Sequence, residues 1–154
     1  MNNKSTIFLF LDIDGVLVPL ERVPRPIALD KGPPRPLNSD CVQRLIDTLD
    51  AFPAVQVVIS SSWRLLLNID ELRAVFPAAL AERIVAVTPE VSRPDRIREI
   101  RAFLESNNCA GFIALDDSGE NFPDDIPCVT PIGTEGYDER CASELATYLR
   151  EFSD

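Results

Sequence analysis

The sequence predicts an α/β domain of three layers, a mostly parallel sheet with helices on both faces. Short, largely apolar runs such as IFLFLD, VQVVIS and GFIALDD alternate with segments of helical periodicity, the pattern of a parallel sheet buried on both sides. Acids and hydroxyls stand at the carboxyl ends of three of these runs, where open parallel sheets bind ligands. The 154 residues, 45% of them hydrophobic, suffice for one domain with a real core, and no repeat, low-complexity tail or linker divides residues 1–154.

Residues 7–12 read as a buried strand that delivers Asp12, Ile13 and Asp14 to Gly15. Residues 18–36, VPLERVPRPIALDKGPPRP, hold six of the thirteen prolines and no periodicity, and read as a loop or flap. A helix is expected from about Asn38 to Asp50, with Cys41, Val42, Leu45, Ile46 and Leu49 on one face and Asn38 or Ser39 as its cap. Val55 to Ser60 reads as a second buried strand. Asn68 with Glu71 forms a capping-box pattern opening a helix through Phe76. Ile84 to Thr88 reads as a short strand. Ser92 with Asp95 makes a second box, with Pro94 near the first turn of a helix marked by Ile97, Ile100, Phe103 and Leu104. Gly111 to Asp117 is a third strong strand and Cys128 to Ile132 a weaker one. A last helix from about Asp138 to Phe152 is expected to bury Cys141, Leu145, Tyr148 and Leu149.

Composition narrows the function. The chain has no histidine, which excludes every histidine base, nucleophile or metal ligand. Acid–base chemistry near neutral pH falls to carboxylates, cysteine, lysine or tyrosine. A bound metal would take oxygen ligands, which points to Mg²⁺ rather than zinc. The four cysteines are widely spaced without a CxxC pair and read as reduced structural thiols of a cytoplasmic protein, with metal ligation the alternative. Net charge of −10 disfavours binding to long nucleic-acid tracts. No apolar run is long enough to span a bilayer, and MNNKST does not read as a secretory signal.

Asp12, Asp14, Asp116 and Asp117 at one sheet edge would repel one another unless some protonate or a cation joins them. A carboxylate beside Mg²⁺ can attack phosphorus, and a second carboxylate two residues on can protonate the leaving oxygen and later deprotonate water. Gly15 permits the tight turn between them and the chain beyond. An isolated Asp-x-Asp before glycine is more often a capped turn; its coincidence with the other strand ends argues for a site. Trp63 reads as a packing residue. Arg64 either grips an anion or pairs with an acid, and Glu120 and Asn121 either reach the waters of a metal or lie in a solvated loop.

DIDGV at 12–16 resembles the first motif of the haloacid dehalogenase-like (HAD) hydrolases. VVIS, ending at Ser60 or Ser61, resembles the second, and ALDDSGEN at 114–121 resembles the acidic fourth; the third falls in SRPDRIREIRAFL. The combination DIDGVL, SSSWR, REIRAFL and LDD resembles the small capless HAD domains also found in bacterial RNA-repair proteins. The resemblance covers nearly the whole chain and implies a Rossmann-like, HAD-like fold and a Mg²⁺-dependent phosphatase with an aspartyl-phosphate intermediate. It makes Asp12 the nucleophile and a metal ligand, and Asp14 the general acid–base with its carbonyl on the metal. Ser60 or Ser61 would bind the phosphoryl group. Asp117 would be the direct metal ligand and Asp116 the acid beside it. The third motif departs from the family: the only lysines are Lys4 and Lys31, so Arg96 or Arg93 must substitute for the usual lysine. Arg64 and Arg93 are further candidates for substrate binding.

Two other readings compete. A receiver-type phosphoacceptor shares the acidic cluster and Mg²⁺, but needs an adjacent first acid pair and a lysine after its last strand. A catalytically idle HAD-like domain would serve only as a binding partner, although every core acid is present. Large caps in the family follow motif one or lie between motifs two and three. Neither interval here has room for one, so an open site is expected, with a flap carrying Arg22, Arg25, Lys31 and Arg35 against Glu21 and Asp30. The expected substrate is a phosphate on a small molecule or a nucleic-acid end, with no membrane partner.

Overall fold

The computed structural model describes residues 5–21, 35–93 and 95–153. Five strands form one sheet: β1 (Ile7–Leu11), β2 (Val55–Ile59), β3 (Ile84–Val87), β4 (Gly111–Leu115) and β5 (Cys128–Val129). Their order is β3-β2-β1-β4-β5, and every neighbouring pair is parallel. The helices are α1 (Ser39–Asp50), α2 (Ile69–Val75), α3 (Ala78–Ala81), α4 (Arg96–Ser106) and α5 (Glu139–Ser153). This is the three-layer, Rossmann-like α/β architecture that the alternating runs predict.

β1 lies at the centre and is buried along its whole length, as a strand covered on both faces must be. Its side chains alternate between two cores. Ile7, Leu9 and Leu11 join the larger cluster with Leu45 and Leu49 of α1, Leu72 of α2 and Leu145 and Leu149 of α5. Phe8 and Phe10 join Ile100 and Phe103 of α4 on the opposite face. There Phe103 meets both phenylalanines edge-on, with ring centroids 5.1 and 5.7 Å apart.

The caps follow the local sequence. Asn38 caps α1 by accepting from Cys41 N–H at 2.9 Å. Asn68 and Glu71 form the reciprocal box predicted for α2. The box predicted from Ser92 is not formed: Asp95 itself caps α4, accepting from Ile97 and Arg98 N–H at 2.8 and 3.3 Å. A carboxylate one residue before the helix reaches both free amides, so no earlier cap is needed. Pro94 lies outside the described residues, as do residues 22–34 and hence most of the expected flap. Strands end earlier than the apolar runs suggest, because Asp12, Ser60 and Asp116 start the loops that leave the sheet. Tyr148 is only partly buried, on the flank of the core. Two 3-10 turns, at Ser62–Leu65 and Gly119–Asn121, and the short α3 have no counterpart in the sequence reading.

Between β2 and β3 the chain adds a few residues to the core. Trp63, Leu72 and Leu80 are buried, so this interval builds no separate lid. Among the described residues no helix is long and apolar enough to cross a membrane.

Candidate active site

Register brings the site together. Leu11 pairs with Ile59 on one side and Leu115 on the other, so the residues that follow, Asp12, Ser60 and Asp116, form a row across the carboxyl edge of three adjacent strands. Backbone bonds hold the row: Ser60 N–H donates to Leu11 C=O at 2.8 Å, Asp12 N–H to Leu115 C=O at 3.0 Å, and Asp116 N–H to Val129 C=O at 3.2 Å. All three side chains are buried. The chain then turns through Ile13–Val18, where Leu17 N–H closes onto Ile13 C=O and Gly15 N–H onto Val18 C=O.

Gly15 has φ of 80°, a left-handed conformation that favours glycine. It also makes room: a Cβ there would lie 2.2 Å from Asp117 Oδ2. The sequence shows the turn requirement; only the fold shows that this glycine clears space for a carboxylate.

Asp12, Asp116 and Asp117 each offer a carboxylate oxygen within 4.8 Å of the others. Asp14, half-buried, stands apart from this trio and accepts from Trp63 Nε1 at 3.1 Å. Arg96, at the first turn of α4, lies 2.5 Å from Asp116 Oδ2 and 3.4 Å from Asp12 Oδ1. Asp116 Oδ1 accepts from Ser118 N–H at 2.9 Å, so both Asp116 oxygens are engaged by the protein. Asp12 Oδ1 accepts from Ile13 N–H at 2.9 Å, which fixes the carboxylate plane.

Burial, followed by the Asp116 charge, pushes Asp12 up to about 8; Arg96 and the Ile13 amide pull in the other direction without prevailing. Burial also raises Asp117, against a hydrogen bond from Asp12. One guanidinium thus fails to offset three crowded acids. A hard divalent cation fits this all-oxygen donor set; Asp12 and Asp117 could hold one, Asp116 being engaged by Arg96 and Ser118.

Ser60 and Ser61 part company in the structure. The Ser61 hydroxyl accepts from Trp63 N–H at 3.3 Å and caps the 3-10 turn. The buried Ser60 hydroxyl has no hydrogen-bond partner among the described residues, an unsatisfied group that a ligand oxygen would complete. Arg64 is in the acid-paired arrangement: its guanidinium contacts Glu99 of α4 and donates to Thr88 and Ser61 carbonyls at 3.0 and 3.1 Å. Arg93 is exposed on the loop before α4. Asn121 lines the cleft, and Glu120 is exposed beside it. The cleft above Asp12 holds about 200 Å³ and is lined also by Arg96, Asp116, Ser118 and Phe122.

All four cysteines are free. Burial pushes Cys128 up to about 12 and Cys141 up to about 11, so these thiols stay protonated and suit a structural role.

Sequence reasoning missed two participants. Trp63 gave no signal beyond apolarity. Glu99 carried one: it is an acid three residues after Arg96 and four before Phe103, on the helix stripe that faces the protein.

Residues 8–139 match a family model described as the HAD domain in Swiss Army Knife RNA repair proteins. No curated protein matches the chain.

Proposed function

Since the chain belongs to this family of HAD domains, part of a hydrolase superfamily, we propose that it is a Mg²⁺-dependent phosphomonoester hydrolase working through an aspartyl phosphate, and that it acts on terminal phosphates of nucleotides or nucleic acids, RNA ends foremost. The mutual approach of Asp12, Asp116 and Asp117 around a single arginine carries this reading. Mg²⁺, when bound, supplies charge neutralisation to the phosphoryl oxygens and the acids alike. Asp12 and Asp117 would hold it, together with the Asp14 carbonyl.

The residues divide the chemistry. An oxygen of Asp12 forms a bond to phosphorus as the bond to the leaving oxygen breaks, and Asp14 gives that oxygen its proton. Asp14 then takes a proton from water as the water attacks phosphorus, releasing phosphate and restoring the Asp12 carboxylate. The unsatisfied Ser60 hydroxyl donates to a phosphoryl oxygen. Arg96 takes the place of the usual lysine and balances Asp12 and Asp116 between steps.

The size of the cleft supports this substrate class. A cleft of about 200 Å³ is smaller than pockets that enclose whole ligands, which begin at about 300 Å³. It admits a phosphoryl group and leaves the remainder of the substrate outside, which suits the end of a large molecule. The family's description places relatives in RNA repair. Phosphate release with Mg²⁺ should be compared for a terminally phosphorylated RNA oligonucleotide and for sugar phosphates. The oligonucleotide should turn over at least as well, chelation should stop both reactions, and an Asp12 phosphoryl adduct should be trapped by rapid acid quench. No release from any ester, or turnover unaffected by chelation, overturns the proposal.

A further inference from the structure

Asp14 is held by the chain's only tryptophan. Trp63 is 1% exposed and its indole N–H reaches Asp14 Oδ2 at 3.1 Å, across 49 residues of sequence. The indole is buried, and the main chain of Trp63 is bonded within its own turn. The Trp63 backbone N–H donates to Ser61 Oγ, and the Trp63 carbonyl accepts from Leu66 and Leu67 N–H at 3.0 and 2.9 Å. The next residue, Arg64, ties the same turn to Thr88 and to Glu99 of α4. Ser61, the N-cap of that turn, follows Ser60 with its unsatisfied hydroxyl, so one short segment spans from that hydroxyl to the Asp14 carboxylate.

An indole N–H is a donor only. It can bind an Asp14 oxygen that accepts, never one that carries the proton along the same line. We propose that Trp63 is the positioning residue for Asp14: it fixes the carboxylate rotamer, engages Oδ2 as an acceptor and so assigns the transferable proton to Oδ1. This rests on the hydrolase reading above, in which Asp14 protonates the leaving oxygen. A half-buried carboxylate free to rotate would present either oxygen in several directions; proton transfer requires one oxygen within hydrogen-bond reach of the departing atom.

A packing role alone predicts a different outcome, because it affects all substrates alike. The test therefore reads leaving-group dependence. Trp63→Phe keeps an aromatic ring and loses the donor. Biosynthetic replacement of the tryptophan by its benzothienyl analogue keeps the shape as well, and alters only residue 63 because the chain has one tryptophan. In either protein, kcat/KM on an alkyl phosphate should fall about 10-fold or more, part of the 10²–10⁴ that a placed proton donor contributes. On dinitrophenyl phosphate, whose leaving group departs unprotonated, it should stay within about two-fold. In an Asp14→Asn background the same change should cost nothing further on either ester. The single indole N–H signal in a ¹H–¹⁵N spectrum should move on Asp14→Ala. Equal loss on both esters, additive loss in the double variant, or an unmoved indole signal overturns the inference while wild-type turnover leaves the hydrolase reading intact. A wild-type protein that hydrolyses neither ester removes that reading, and this one with it.

Discussion

Asp12 concentrates the electrostatic conflict of the site. Its carboxyl, ordinarily near 3.8, is pushed up to about 8 by burial and by Asp116. Between these values the unfolded chain has lost the Asp12 proton while the metal-free folded chain keeps it. Stability must then fall as pH rises through this window. In the presence of a chelator the melting temperature should decline from about pH 5 to pH 8, and Asp12→Asn should flatten the decline while abolishing turnover; thermal scans across pH check both, and an unchanged slope in the variant would contradict the assignment. The two later acids should separate in a Mg²⁺ titration. Asp116 has both oxygens engaged by Ser118 and Arg96, whereas Asp117 lies partly open beside Gly15. Asp117→Ala should therefore weaken Mg²⁺ binding more than Asp116→Ala, measured by calorimetry. Gly15→Ala places a side chain where φ is 80° and where Asp117 already stands. It should destabilise by about 1–2 kcal/mol from the backbone alone and displace Asp117, so Mg²⁺ affinity should drop with stability.

Two helix caps of similar chemistry should behave differently. Asn68 closes the box at the start of α2 and, among the described residues, bonds only with Glu71 through its side chain; Asn68→Ala should cost about 1 kcal/mol and leave kcat and KM unchanged. Asp95 caps α4, whose first residue is Arg96. Asp95→Ala should cost a similar amount and also raise KM, because the first turn that carries Arg96 loosens, while Asp95→Asn should restore both. Denaturant melts paired with steady-state kinetics distinguish the two; a KM effect at Asn68 equal to that at Asp95 would count against α4 as the carrier of the site. Helix existence and buried faces were legible because apolar residues recur at helical spacing, as in Cys41, Val42, Leu45, Ile46 and Leu49. The cap of α4 was misplaced because Ser92 and Asp95 both fit a capping pattern, and only backbone geometry decides which faces the free amides.

At the scale of the molecule, net charge of −10 and an acid trio with two buried members make the protein a better host for a cation when its carboxyls are ionised. Mg²⁺ in large excess should raise the melting temperature, by an amount equivalent to about 2.7 kcal/mol at one hundred times Kd. The gain should be larger at pH 8 than at pH 6, since binding must displace the proton that Asp12 retains. Equal gains at the two pH values would show that Asp12 does not hold the ion. Trp63, Leu72 and Leu80 of the interval between β2 and β3 are buried in the core, and among the described residues this interval forms no separate cap domain.

Strand and helix order, the two-sided burial of the sheet and the four candidate acids were legible in the sequence alone, because period, apolarity and acid-bearing strand ends are local properties. So was the exclusion of histidine chemistry. Tertiary structure decided what depends on register and approach. Pairing of Leu11 with Ile59 and Leu115 set Asp12, Ser60 and Asp116 in one row. The same packing left the Ser60 hydroxyl without a partner among the described residues while Ser61 capped a turn, a difference between two serines that are equivalent on paper. It turned Arg64 toward Glu99 and the Trp63 indole toward Asp14, contacts between residues 35 and 49 positions apart. Such pairs leave no trace in spacing, since chain folding sets their distance and local propensity does not.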